Sequence, residues 1–361
     1  MQMHHRGSCF ESCGQAVRAP CVPAATGLDD ERRDATRLPP GTREKDVKRA
    51  RARGAACLAI AAMAILGVWP AGKSAAAASA FEEIAAGVYV RHGLVAEETP
   101  ANQGAIANIG FVVGEDAVAM IDSGGSVADG EAALEAIRRV TDKPVRFLIN
   151  THMHPDHVFG NQVFDAVGAT IVGHRRLPAA LAARAEFYQQ SMATQIGPDL
   201  AAEVSITLPD ETVEGERRID LGGRTLVVKA WQTAHTDNDL TVYDEETKTL
   251  FAGDLVFMDH CPVLDGSLKG WLAQIPDLMA IPAERVVPGH GPVSAPWPEA
   301  LEPERRYLET LAADIRRAIA AGIPLAEAVP DAAAGESQEW QLFADYNPRN
   351  ATAAYAELEW E

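Results

Sequence analysis

The chain has 361 residues, 47% of them hydrophobic and only 6% aromatic, which is enough apolar material for one large or two modest domains with a real core. Its formal net charge of −19 excludes a nucleic-acid backbone as the natural partner, because phosphate binding needs a basic face.

Residues 1–46 are rich in Arg, Pro, Gly and Asp without hydrophobic periodicity. They are expected to be disordered, or a mis-assigned start with translation beginning near Val47. Lys48, Arg49, Arg51 and Arg53 then precede an apolar run from Ala55 to Trp69, and small residues lead to Ala78, Ser79 and Ala80. That order over residues 47–80 is the order of a secretory signal peptide, with cleavage expected after Ala80. The apolar run is shorter than the roughly 20 residues that span a bilayer, so no stable membrane insertion is expected after cleavage. The mature protein is expected in the periplasm or outside the cell. Residues 81–361 carry 20 Lys+Arg against 44 Asp+Glu, a net charge of −24. Cys261 alone of the five cysteines lies in that part, so no intramolecular disulfide can staple it.

From Phe81 onward, short β-branched runs alternate with helical patterns, which is α/β organisation. Strands are expected at 87–93, 105–114 and 116–124, a helix at 127–140, and a buried strand at 145–150. The segment "NTHMHPDH" (150–157) leaves the end of that strand. Helix and strand alternate again through "GNQVFDAVG" and "ATIVGH", and a longer helical region covers about 174–195. A hairpin over 217–234 leads to His235, and a strand–turn–strand unit over 240–254 ends in Asp254. After "VVPGHG", Leu301, Leu308, Leu311, Ile315 and Ile319 share one helical face, with the intervening charges expected in solvent, and a short helical tail runs to Glu361.

Three histidines and an aspartate fall within six positions at 152–157. His152, His154, Asp156 and His157, His235, Asp254, and His290 each follow an apolar strand-like run, and strand ends in layered α/β folds converge on the rim where ligands bind. Imidazoles and carboxylates without cysteine suit zinc or iron with open coordination positions, whereas closed structural zinc sites are dominated by cysteine. The H-x-H-x-D-H spacing cannot aim every side chain at one ion but can serve two adjacent ones. Five His and two Asp make a reasonable ligand set for such a pair, with one acid bridging and a hydroxide held between the ions at neutral pH.

These motifs resemble the metallo-β-lactamase fold hydrolases over about residues 83–294. The resemblance implies a four-layer αββα sandwich over 81–295, with the site at one edge and a C-terminal helical extension over 296–361. It places His152, His154 and His235 on one metal, Asp156, His157 and His290 on the other, and Asp254 between them. The implied cofactors are two Zn2+, with iron or manganese the alternatives. Asp156 is the expected catalytic residue, ligating one metal and orienting the nucleophile. Asp122 is expected to orient a ligand histidine, as metal-bound histidines usually require. His260 reads equally as a pocket residue or an ordinary loop histidine, His92 and His174 as structural or surface residues, and Cys261 as a buried thiol.

An acid in the "AGD" position sets the chain apart from true β-lactamases of this fold, and the acidic tail lacks the basic residues with which glyoxalase-II-like members hold glutathione. The stretches "DHCPVLDGSLKGWL" (259–272) and "YNPRNATAAYAELEWE" (346–361) resemble the exported quinoprotein relay system zinc metallohydrolases. That resemblance implies a functional link to periplasmic quinoprotein dehydrogenases. The expected function is metal-dependent hydrolysis of a small-molecule ester, thioester, lactone or related bond. Two other readings stand beside it: a mononuclear-iron oxidoreductase like the sulfur dioxygenases, and a non-catalytic periplasmic binding protein that keeps metal for stability. Metal content separates the first two.

Overall fold

The computed structural model describes residues 80–361; the segments read as a disordered start (1–46) and a signal peptide (47–80), apart from Ala80, lie outside the described residues. Thirteen strands form two sheets among the described residues. The first sheet runs in chain order: β1 (Glu82–Ala85), β2 (Val88–Arg91), β3 (Ile109–Val113), β4 (Val118–Ile121), β5 (Val145–Ile149), β6 (Thr170–His174) and β7 (Glu211–Val213). It is antiparallel through β4 and parallel from β4 to β7. The second contains β8 (Glu216–Asp220), β9 (Thr225–Ala230), β10 (Leu240–Asp244), β11 (Thr249–Phe257), β12 (Arg285–His290) and β13 (Ala295–Pro296), ordered from β13 at one edge to β8 at the other. Only β11 and β12 pair in parallel there.

Period-two side-chain alternation sorts these strands into layers. Val112, Ala119, Ile121, Ile149 and Val172 of the first sheet meet Leu226, Val228, Val242, Phe251 and Val287 of the second in the central core. Their neighbours Phe111, Val118, Met120, Leu148 and Ile171 face outward onto Ala133, Leu134, Ile137 and Phe164 of α1 (Val127–Val140) and α3 (Asn161–Asp165), which flank the short α2 (Pro155–Val158) in sequence. Helix α1 begins where Ser126 accepts a hydrogen bond from the Asp129 amide, as an N-cap serine does. α4 (Leu177–Gln195) and α5 (Pro198–Glu203) pack with Met153, Val158 and Phe159 in a separate cluster. On the other side, Leu250, Ala252 and Val286 turn away from the central core. They pack on α6 (Leu268–Met279), α7 (Glu302–Ala320) and, past the short α8 (Leu325–Ala328), α9 (Phe343–Leu358). The layers are therefore helix, sheet, sheet, helix, with the C-terminal helices part of the last one. Among the described residues no helix is long and apolar enough to cross a membrane.

Three local expectations change. Residues 105–108 are not strand but a buried loop leading into β3. Asp254 does not end a strand; β11 continues to Phe257, and its pairing with β12 breaks register on both sides of Gly253. The charges of the α7 region do not all face solvent, because Glu304 is fully buried and accepts a hydrogen bond from the Phe257 amide at 2.5 Å.

Candidate metal centre

All seven residues singled out as metal ligands come together at one edge of the sandwich. His152 and His154 lie in the loop after β5, Asp156 and His157 in α2, His235 between β9 and β10, Asp254 inside β11, and His290 at the end of β12. Two sets of donor atoms result, His152, His154, His235 and Asp254 in one and Asp156, His157 and His290 in the other, each set lying within 4.8 Å. Asp254 sits between the sets: its Oδ2 is 3.4 Å from His235 Nε2 and 3.7 Å from His152 Nε2, while its two oxygens stand 3.2 Å from His157 Nε2 and 3.5 Å from His290 Nε2. His290 Nε2 is also 3.3 Å from Asp156 Oδ2.

Backbone geometry lets Asp254 occupy that place. Gly253 has φ +53°, and a Cβ there would come within 2.7 Å of Thr151 Cβ; a Cβ on Gly289 would lie 1.9 Å from Asp254 Oδ1. The register break in β11 thus turns a carboxylate that would follow the strand into the gap between the two histidine groups.

Outer contacts fix how four of the five rings face, while His290 Nδ1 is buried without a hydrogen-bond partner among the described residues. Asp122, with φ +57°, accepts from the Thr151 amide and the Thr151 hydroxyl, each at 2.7 Å, and from His157 Nδ1 at 2.8 Å. Since the Thr151 hydroxyl proton goes to Asp122, His152 Nδ1–H donates to Thr151 Oγ1 at 3.0 Å. His235 Nδ1–H donates to the Val263 carbonyl at 2.6 Å. In these three rings the proton sits on Nδ1 and the Nε2 lone pair faces inward. His154 is reversed: its Nε2 is 3.1 Å from Asp265 Oδ2, and its Nδ1 faces His235 Nε2 at 3.1 Å.

The inward atoms test whether a metal fits. His152 Nε2, His157 Nε2 and Asp254 Oδ1 are buried with no hydrogen-bond partner among the described residues, a costly state for a polar atom unless something further engages it. Lone pairs of neutral imidazoles and carboxylates converging on two points suit divalent ions, so the residues fit a metal pair.

The surrounding charges favour a proton on the inward nitrogens of His157 and His290 but not on those of His152 and His235. Burial opposes charge on His157, but the carboxylates of Asp156, Asp254 and Asp122 hold it well above the usual imidazole range. Burial is likewise outweighed at His290, which Asp254 and Asp156 raise to about 9. His152 is driven well below the ordinary value by burial and by His157, and burial takes His235 to about 4. Against burial, His157 and His290 pull Asp156 down to about 2, and the surrounding histidines hold Asp254 well below the usual carboxylate range.

The centre opens into a cleft of about 270 Å³. One wall is Phe187, Tyr188, Ser191 and Gln195 of α4; another is His260 with Tyr346 and Arg349 of α9; Glu97 and Glu98 complete the rim. Burial and nearby Asp156 raise Glu98 to about 7. His260 therefore lies on the cleft wall, and burial and His290 lower it to about 4. His174 is buried away from this cleft, Cys261 is a buried free thiol that burial pushes up to about 12, and His92 is partly buried. Sequence reasoning missed Thr151, Asp265, Tyr188, Glu98, Tyr346 and Arg349. Thr151, Asp265, Tyr346 and Arg349 stood within stretches already singled out, but not as site residues; Glu98 and Tyr188 lie in segments whose spacing carries no mark of the site.

The sequence model of the metallo-beta-lactamase superfamily matches residues 103–290, just over half of the chain. The chain belongs to this superfamily. A protein named beta-lactamase-like protein 2 homolog, from Caenorhabditis elegans, is 24% identical over 48% of this chain and 52% of its own length. The hydroxyacylglutathione hydrolase of Brucella anthropi is 27% identical over 54% of this chain and 66% of its own length. The chain thus spans about half to two thirds of these two relatives. Among solved structures, a metallo-beta-lactamase from Pontibacter korlensis superposes with a TM-score of 0.52 at 23% identity, covering 63% of this chain and 98% of that one. A sec-alkylsulfatase from a Pseudomonas species superposes at 0.57 with 15% identity, covering 78% of this chain and 50% of that one. At these identities the structural likeness establishes the superfamily fold, and the fold hosts several hydrolytic chemistries.

Proposed function

We propose that the protein is an exported dinuclear zinc hydrolase acting on a small-molecule ester, thioester, lactone or related bond, and that it serves a periplasmic quinoprotein dehydrogenase system. The observation that carries the metal reading is the convergence of the orphaned His152 Nε2 and His157 Nε2 on the Asp254 carboxylate. Two divalent ions held there would lower the pKa of water and polarise the scissile carbonyl. His152, His154 and His235 would hold one ion and Asp156, His157 and His290 the other, with Asp254 shared. Asp156, 3.3 Å from His290 Nε2 and on the cleft wall, would both ligate and orient the attacking water. The cleft is small and acidic, which favours a small substrate over a polyanion. The quinoprotein link is supported by the resemblance of residues 259–272 and 346–361, and export by the segment 47–80.

Elemental mass spectrometry of protein purified without added metal or chelator tests the reading. About two zinc per chain, with turnover in a panel of esters, thioesters, lactones, β-lactams and alkyl sulfates, is the expected result. A single iron would overturn it in favour of oxidative chemistry, and zinc-loaded protein inert across the panel would overturn the catalytic role. Mass spectrometry of the secreted chain should show Phe81 as its first residue; an intact Met1 would refute cleavage.

A further inference from the structure

His260 belongs to neither donor set of the metal centre, yet it is only 2% exposed and lines the cleft beside it. Its Nδ1 lies 2.6 Å from the Cys261 carbonyl, which can only accept, so the ring proton sits on Nδ1 and Nε2 keeps its lone pair. No donor among the described residues reaches that Nε2. Unlike the orphaned nitrogens of His152 and His157, it is open to the cleft rather than sealed.

The ring is held from several sides. Its centroid is 5.0 Å from His290, 4.8 Å from Tyr346 and 5.7 Å from Phe257. Asp259 before it has φ +63°, and the His260 amide donates to the Met258 carbonyl at 2.6 Å. A segment outside the superfamily match clamps the same turn: the Cys261 amide donates to the Gln341 carbonyl at 2.9 Å, and the Gln341 amide to the Asp259 carbonyl at 2.7 Å. Asn350 of α9 holds the next stretch, accepting from the Leu264 amide at 2.9 Å and donating to the Pro262 carbonyl at 2.6 Å. The chain therefore presents one fixed acceptor nitrogen to the cleft from a clamped turn, the arrangement that lets a single hydrogen bond select a ligand.

We infer that His260 is a substrate-positioning residue whose Nε2 accepts a hydrogen bond from an N–H or O–H that the substrate carries beside the bond to be cleaved. The inference rests on the hydrolase reading above and narrows it: the substrate class is acyl derivatives with a donor near the scissile carbonyl. A substrate lacking the donor would strip water from Nε2 and return nothing, a loss of about tenfold, the size of one net hydrogen bond.

The test uses zinc-loaded protein and two esters, the p-nitrophenyl esters of N-acetylglycine and N-acetylsarcosine, the second of which replaces the N–H donor with an N-methyl group; the His260 variants separate the donor from the added methyl. The wild-type protein should favour the N–H ester by about tenfold in kcat/KM. His260→Phe, which keeps a ring against Tyr346 and His290, should bring that ratio to within about twofold, and His260→Gln, which restores an acceptor, should recover part of it. An unchanged ratio in His260→Phe would mean that the ring only packs and would overturn the inference. An arm without turnover uses nitrogen NMR of the 15N-histidine-labelled protein, where Nδ1 should carry the His260 proton; a proton on Nε2 overturns the inference. Should neither ester turn over, the hydrolase reading is what fails for this class. The free acids then decide: a shift of the His260 Nε2 resonance with N-acetylglycine but not with N-acetylsarcosine supports the positioning role, and no shift overturns it.

Discussion

Replacing Asp122 with Asn changes one atom at a residue that touches no inward donor of the metal centre. Its carboxylate accepts three hydrogen bonds at 2.7, 2.7 and 2.8 Å, from the Thr151 amide, the Thr151 hydroxyl and His157 Nδ1. Asn keeps the shape and tolerates the positive φ of 57°, so backbone strain does not confuse the result as it would with Ala. The new amide can still accept from the Thr151 amide, but its NH2 group then faces His157 Nδ1. That contact becomes a hydrogen bond only if His157 moves its proton to Nε2, the nitrogen that stands 3.2 Å from Asp254 and 3.5 Å from Asp156. The inward lone pair is lost, or a buried bond is left unmade. Outer partners of this kind are worth about 10–100-fold in metal affinity, or about 1.4–2.7 kcal/mol. Loss of charge assistance at two or three buried bonds should also lower stability by about 2–4 kcal/mol. Competition for zinc with a chromophoric chelator reads the first quantity, and urea unfolding of the metal-free protein reads the second. Asp122→Asn protein that binds both ions within about twofold of wild type would refute the argument that His157 is oriented through Asp122.

Other changes test separate contacts. Gly289→Ala places a methyl 1.9 Å from Asp254 Oδ1, so it should displace that carboxylate and lower zinc content below two per chain; full metal content would show that β12 can yield. Tyr188 is buried with no partner for its hydroxyl among the described residues, and Tyr188→Phe should therefore leave stability unchanged or raise it by up to about 1 kcal/mol, whereas a loss above that would reveal a partner for the hydroxyl. Burial and Arg176 lower His174 from 6.5 to about 4, so between those values the unfolded chain binds a proton that the folded chain does not. Stability should fall as pH drops through that window. His174→Asn, which can still accept from the Arg176 amide, should flatten that part of the profile; an unaltered slope in urea unfolding would assign the acid loss elsewhere.

The sequence was most legible where a signal is local. Hydrophobic periodicity marked α1 at Val127–Val140, and the clustering of His152, His154, Asp156 and His157 drew attention to the loop after β5. Residue type and spacing sufficed there because a turn of chain brings neighbours together whatever surrounds it. Periodicity overran at 105–108, where apolar residues are buried in a loop, since burial alone does not distinguish strand from packed coil. It also read the charges of the α7 region as solvated and so missed Glu304, which is buried because the Phe257 amide of β11 meets it there.

Period determined the α/β organisation of the protein and the spacing of seven His and Asp residues pointed to one rim of it, because those properties are carried by each short segment on its own; the four-layer sandwich was implied only by the resemblance of the motifs to a known family. The facing of each ring, the placement of Asp254 between two donor sets and the cleft wall built from His260 and α9 were decided by tertiary structure. Each depends on a contact between distant segments: Thr151 with Asp122, Gly289 with Asp254, and Gln341 with Asp259 and Cys261. Such contacts form only when strands distant in sequence pair within a sheet, or when the C-terminal segment packs on the turn at 259–261, and no short window of sequence contains both partners.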